Sequence, residues 1–340
     1  MRRILFTLLL ALLVAVAALF VGYRQMIAWL NAPAASVTAP VVYEIPRGSS
    51  VGGVARDLAV RGVLEHPKVF ALWARYTGRA TGIKAGEYEI RPGMSPQAML
   101  EMFRSGQVLL HSITFVEGST FYDIRRQLAE TSTLRQDVAQ SSPQQIMAKL
   151  GDTTTDPEGQ FFPDTYLFPK GTTDLALLSL SHQRLRSALE ASWASRDPTL
   201  PFANPYELLI MASIVEKETA LERERPLVAG VFIERLRRGM RLQTDPTVIY
   251  GIRNTYDGNL HRADLERDTP YNTYTRAGLP PTPICLPGAA SLKAAAQPQM
   301  SGALFFVATG RGDGSHYFSK TLAEHNEAVQ RYLQVLREQK

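Results

Sequence analysis

NPYELLIMASIVEKETA, Asn204 to Ala220, is the stretch around which the rest of the chain is organised. Asn204 suits an N-cap, Pro205 the first turn, and Glu207 stands three residues after the cap, so a helix is expected to start there. From Leu208 to Val215 every face is apolar or small, the pattern of a helix packed on all sides rather than along one stripe. Glu216 follows directly. Its neighbours one turn away on the helix are Ala212, Ser213, Thr219 and Ala220, small side chains that leave room beside the carboxyl. A carboxyl at the end of an apolar helix is partly desolvated, which favours its protonated form and suits a general acid. The alternative at this point is a structural pairing with Lys217 or a nearby arginine.

Downstream, Pro226 is expected to open a helix to Arg238 with Leu227, Val231, Phe232 and Leu236 on its inner side, ended by Gly239. In MRLQTDPTVIYG, Met240 to Gly251, the residues Gln243, Thr244 and Asp245 are consecutive hydrogen-bonding groups before Pro246, and Val248 to Tyr250 read as strand or buried helix. Tyr271-Asn272-Thr273-Tyr274 precedes the proline-stiffened Gly278 to Pro283. Such clusters suit a binding cleft and equally suit turn chemistry. The closing segment predicts a hairpin, Ala303 to Thr309 and His316 to Phe318 around a turn at Gly310 to Gly314, then a helix capped by Thr321. His316 and His325 lack a third ligand at close spacing, so no metal site is expected.

Upstream, a helix from Ser95 to about Arg104, a strand from Val108 to Val116 and a helix capped by Ser119 or Thr120 are expected, with polar loops or a short helix from Ala129 to Pro143. EGQFFPDTYLFPKG, Glu158 to Gly171, sets four aromatics among carboxylates, either a platform for sugar faces or a loop anchored in the core. Residues 43–107 predict strand, two helices and strand: Val41 to Ile45, Val51 to Val60, His66 to Tyr76 with Phe70, Leu72 and Trp73, and Gly86 to Ile90. That order resembles the small LysM fold, which binds glycans containing N-acetylglucosamine; a generic α+β spacer is the other reading. Residues 24–42, ending in the uncharged NAPAASVTAPVV, read as a tether.

Arg2 and Arg3 precede Ile4 to Gly22, about 19 residues with Thr7 as the one polar member, enough to cross a membrane as a helix. Tyr23 and Trp29 fall where interfacial aromatics are expected. A cleaved signal peptide would use Ala15 and Ala17, but Leu19, Phe20 and Val21 prolong the apolar run, so an uncleaved anchor at 4–23 is expected. Residues 1–3 would be cytoplasmic and the rest extracytoplasmic. With 340 residues and a net charge of +5, more than one domain and an anionic partner are expected. One cysteine, Cys285, excludes a disulfide framework. No phosphate-cradling loop, serine elbow or base-stacking motif is visible, so neither a cofactor nor nucleic acid is expected.

ASIVEKET (Ala212 to Thr219), RLQTDPTVIYG (Arg241 to Gly251), YNTYTRAGLPPTPI (Tyr271 to Ile284), PGAASLKAA (Pro287 to Ala295) and HYFSKTLAEHN (His316 to Asn326) resemble the MltG or YceG-like family of endolytic peptidoglycan transglycosylases. The resemblance covers nearly the whole chain and is strongest from about residue 155 to 335. It implies an α+β protein: one transmembrane helix, a small LysM-like module and a larger catalytic domain over 108–340. The family's catalytic glutamate, first in its VEKE stretch, matches Glu216. The implied activity is that of a lyase that cuts the β-1,4 bond between N-acetylmuramic acid and N-acetylglucosamine, leaving 1,6-anhydro ends and limiting strand length. Gln243, Thr244, Asp245, Tyr271, Asn272 and Tyr274 are then expected around the sugar, and Glu218 is expected to be structural. The implied setting is the inner membrane with the catalytic domain in the periplasm, near peptidoglycan synthases. Two rivals remain: a water-using muramidase with Asp245 or Asp164 as second carboxylate, and a non-catalytic wall-binding scaffold.

Overall fold

The computed structural model describes residues 2–153 and 156–338. The part of the expected cytoplasmic N-terminus carried by Met1 lies outside the described residues. The chain is mixed α+β and divides into two compact units, residues 1–111 with 167–171 and residues 112–166 with 172–340.

The first unit begins with α1 (Arg2–Asn31), a 30-residue helix whose apolar window is unburied. It continues through β1 (Val41–Ile45), α2 (Val51–Val60), α3 (Pro67–Tyr76), β2 (Gly86–Ile90) and α4 (Pro96–Ser105). Ser50 caps α2 by accepting from the Gly53 amide, Ser95 caps α4 through Ala98, and Gly106 ends α4 at φ 76°, a left-handed value that glycine adopts freely. β1 and β2 pair antiparallel with Tyr43 opposite Tyr88, both buried on a core that includes Leu58, Phe70, Trp73 and Phe103. The strand–helix–helix–strand order predicted from the sequence is present. The expected tether is not a free one. Residues 24–31 continue α1, Leu30 and Val37 are buried in the core, and the Ala34 amide donates to Met94 O at 2.9 Å. Alanine and proline content signalled flexibility, but Leu30 and Val37 bury apolar area that draws the segment onto the unit.

The unit boundary falls within β3 (Leu110–Thr114) and β4 (Thr165–Pro169), strands that pair with each other. The second unit holds α5 (Phe121–Glu130), α6 (Pro143–Lys149), α7 (Asp174–Ala194), α8 (Pro205–Glu218), α9 (Arg225–Arg237), α10 (Asp245–Gly251), α11 (Arg262–Glu266), α12 (Ala289–Ala296), the hairpin β5 (Phe305–Ala308) and β6 (His316–Ser319), and α13 (Leu322–Glu338). α8 is its axis, packed by α7, α9, α10 and α12. Asn204 accepts from the Glu207 amide at 3.1 Å, and every residue from Leu208 to Val215 is buried. α9 is buried on nearly all sides of its middle, not on one inner face, because Val228 to Ile233 are enclosed as fully as Val231 and Phe232. Val248 to Tyr250 are helical, within α10. Arg311 to Asp313 lie in the turn between β5 and β6.

The aromatic segment is not a sugar platform. Phe161 and Tyr166 are buried in the second unit and Phe168 in the first, and Phe162 packs on the α8 core. Rings beside prolines here fill the interior, where their large apolar area is worth most.

Candidate active site

Glu216 sits on the last turn of α8 with its side chain 5% exposed. The room beside it is taken by the chain itself. The Ser213 hydroxyl accepts from the Ile284 amide at 3.0 Å, and the Cys285 thiol, pushed well up by burial, donates to Ser213 O at 3.3 Å. This lays residues 284–288 along the small-residue face of α8, and the Gly288 amide donates to Glu216 Oε2 at 2.9 Å. Arg225, first residue of α9, donates from Nη2 to Glu216 Oε1 at 3.0 Å.

A second carboxylate faces the same guanidinium. Glu117 Oε2 is 3.8 Å from Arg225 Nη2, and Glu117 is 49% exposed. Two backbone bonds hold its turn: the Gly118 amide donates to Leu286 O at 2.9 Å and the Leu286 amide to Ser119 O at 2.8 Å. Partial burial, then repulsion from Glu216, raise the Glu117 carboxyl above the ordinary range, with Arg225 opposing them. Gly288 leaves room beneath it: a Cβ there would meet Glu117 Oε1 at 1.9 Å and displace that carboxyl. Arg225 Nη2 is the atom that faces both carboxylates, while its Nε is buried without a hydrogen-bond partner among the described residues. Sequence reading missed Glu117 as a site residue. Its one local signal is the Glu-Gly turn between a strand and a capped helix.

Of the other predicted residues, Gln243, Thr244, Asp245 and Tyr274 gather around Glu218 and none joins this cluster. Glu218 is half-buried, accepts a hydrogen bond from the Thr244 hydroxyl, and is pushed up to about 7 by desolvation, with the Asp245 charge adding to the shift. With Gln243, Asp245, Tyr274 and Arg235 it lines a cavity of about 180 Å³. Gln243 is exposed at φ 50°, a left-handed backbone rare outside glycine, and such strain concentrates at functional positions. The Tyr274 hydroxyl donates to Asp245 Oδ1 at 2.6 Å. Thr244 and Asn272 are buried and internally committed. The Asn272 amide nitrogen donates to the carbonyls of Asp264, Leu265 and Arg267, and its oxygen accepts from the Tyr274 amide. Tyr271 stands apart from that cavity, 4.8 Å from the Tyr250 ring and bonded to Thr282.

Neither rival second carboxylate meets Glu216 in any described contact: Asp164 pairs with Arg184 and Asp245 with Tyr274. A buried carboxyl elsewhere, Glu158, accepts from the Phe121 amide and the Tyr250 hydroxyl, and burial pushes it up to about 7. His316 pairs with Glu224 at 2.8 Å and His325 stacks on Phe305. Among the described residues no three His, Cys, Asp or Glu side chains cluster as metal ligands.

The YceG-like family matches residues 43–331. An endolytic murein transglycosylase of Bacillus subtilis (strain 168) is 33% identical over 314 residues, 85% of this chain and 84% of that protein. Another, from Streptococcus pneumoniae serotype 2, is 28% identical over 348 residues, 91% of this chain and 61% of its own length. The crystal structure of a yceG-like protein from Listeria monocytogenes aligns with a TM-score of 0.50 at 29% identity, covering 85% of this chain and 98% of that one. Matched over most of its length by the family and by a relative one-third identical, the chain belongs to the YceG-like family.

Proposed function

We propose that this protein is a membrane-anchored lytic transglycosylase that cleaves the β-1,4 bond between N-acetylmuramic acid and N-acetylglucosamine within murein strands. The observation that carries the reading is the match to relatives named endolytic murein transglycosylases, with Glu216 held at the end of the core helix by Arg225 and the Gly288 amide. Glu216, protonated, gives its proton to the glycosidic oxygen as the C1–O bond breaks. The muramoyl C6 hydroxyl adds to C1, its proton passes to Glu216, and a 1,6-anhydro end results. One carboxyl thus serves as acid and then as base. Gln243, Asp245, Tyr271 and Tyr274 retain exposure for binding a flanking sugar or its acetamido group, while Thr244 and Asn272 fix the loops that carry them. The unit containing β1, α2, α3 and β2 serves as a LysM-like glycan-binding module. α1 anchors the chain in the inner membrane with the rest in the periplasm, beside peptidoglycan synthases, where cutting limits strand length.

A second reading is favoured by Glu117. Two carboxylates on one guanidinium suit a water-using muramidase, in which the second activates water or attacks C1. Mass spectrometry of digested sacculi separates them, since anhydro ends support the lyase and reducing muramic ends the muramidase. Glu216→Gln is expected to lower the rate on the order of 10²–10⁴-fold with the fold retained. Glu218→Gln is expected to retain most of the rate. The opposite ranking would move the acid to Glu218.

A further inference from the structure

α1 enters the first unit without a break, and its last turns are part of that unit's interior. Leu30 is buried, Met26, Ile27 and Trp29 pack on the same core, and the Trp29 ring lies 5.1 Å from His66. Whatever level in a bilayer α1 adopts, the adjoining surface of the unit adopts as well. Ile4 to Gly22 rises about 28 Å at ~1.5 Å per residue, close to the ~30 Å hydrocarbon thickness. Tyr23 to Ile27 therefore lie at the headgroup level.

The C-terminal half of α3 stands beside that turn. Tyr23, Met26 and Ile27 of α1 with Leu72, Trp73 and Tyr76 of α3 line an apolar groove of about 320 Å³. Leu72 is 65% exposed, Tyr76 87% and Tyr23 55%. Leu72 and Tyr76 are four residues apart and share one helix face, with exposed Arg75 next to them. An aromatic with a polar tip, an aliphatic anchor and a cation on neighbouring turns are the groups that settle at a membrane interface.

We propose that this groove and the Leu72–Tyr76 face of α3 dock on phospholipid of the bilayer that α1 spans. Glycerol and upper acyl carbons fill the groove, and Arg75 meets phosphate. The first unit then lies on the membrane surface in one orientation instead of swinging from a tether. Bilayer lipid is favoured over a protein partner because the groove is continuous with the span and begins where its apolar run ends. The inference rests on the reading of α1 as an anchor, so its test reports on both.

Full-length protein carrying one nitroxide, at Leu72→Cys or at Leu12→Cys, is placed in nanodiscs of phosphatidylethanolamine and phosphatidylglycerol; Cys285 is buried and stays unlabelled. Collision with oxygen and with a water-soluble nickel complex is read by electron paramagnetic resonance. Expected is oxygen contact with loss of nickel contact at both sites. Position 12 in lipid with position 72 open to nickel overturns the docking alone. Both open to nickel overturns the anchor. Position 72 shielded from both reagents means a protein covers the face, which also overturns the docking. A second measurement avoids the label: quenching of Trp73 by brominated lipid in a Trp29→Phe, Trp193→Phe background is expected, and its loss in Leu72→Glu/Tyr76→Glu. Absence of quenching before those changes counts against the proposal.

Discussion

Glu216 and Glu117 reach the same guanidinium from sequence positions 99 residues apart on the chain, and only one of them announces itself in the sequence. Glu216 stands out because it ends an apolar run on a well-capped helix. Glu117 sits on a turn, and what makes it chemical is a neighbour, Arg225, that folding brings to it. Glu117→Gln leaves the guanidinium to Glu216 alone and removes the carboxylate that a water-using muramidase would need. The expected outcome on purified sacculi is a rate lowered less than about 10-fold with anhydro ends retained, while a loss on the order of 10²–10⁴-fold would assign Glu117 a part in proton transfer. Arg225 was one of the arginines that the structural alternative for Glu216 required, so pairing and catalysis are not exclusive at this carboxyl.

At the level of elements, α8 was legible because its cap, its first-turn proline and its all-round apolarity agree. α7 carries a cap too, Thr173 accepting from Ala176 at 3.0 Å, and buries Leu177, Leu178, Ser181 and Leu185. Its second half mixes apolar and polar residues without a full-length stripe, so periodicity is a weak guide to it. α9 illustrates what periodicity omits. Gly230 lies against the backbone of the 299 segment, where an added Cβ would stand 2.2 Å from Gln299 O, and the Gln299 amide donates to Pro226 O at 2.8 Å. Gly230→Ala is therefore expected to destabilise by about 1–3 kcal/mol through backbone displacement, despite alanine's better helix propensity. Urea midpoints of wild type and variant check this; a more stable variant would mean that the two segments separate readily.

For the molecule as a whole, two desolvated carboxyls set a pH dependence. Glu158 and Glu218 each rise from an ordinary 4.5 to about 7 because burial penalises their charge. A raised folded value means stability that is fully present below about 4.5 and is lost as pH rises through about 7, by up to about 3 kcal/mol for each group. The thermal midpoint is expected to fall between pH 5 and pH 8, less steeply in Glu158→Gln, as followed by circular dichroism; a midpoint that climbs over that range would contradict the assignment. By itself the sequence determined the apolar N-terminal helix, the α+β class, the strand–helix–helix–strand order of the first unit and the core helix ending in Glu216. Those features follow from hydrophobic period, capping and turn chemistry, which act over a few residues. Only the tertiary structure decided that Leu30 and Val37 of the expected tether are buried in the first unit, that the aromatic loop faces inward, that Gln243, Asp245 and Tyr274 surround Glu218, and that Glu117 joins Glu216. Each of these depends on which distant side chain fills the space or meets the charge, and no local pattern encodes that.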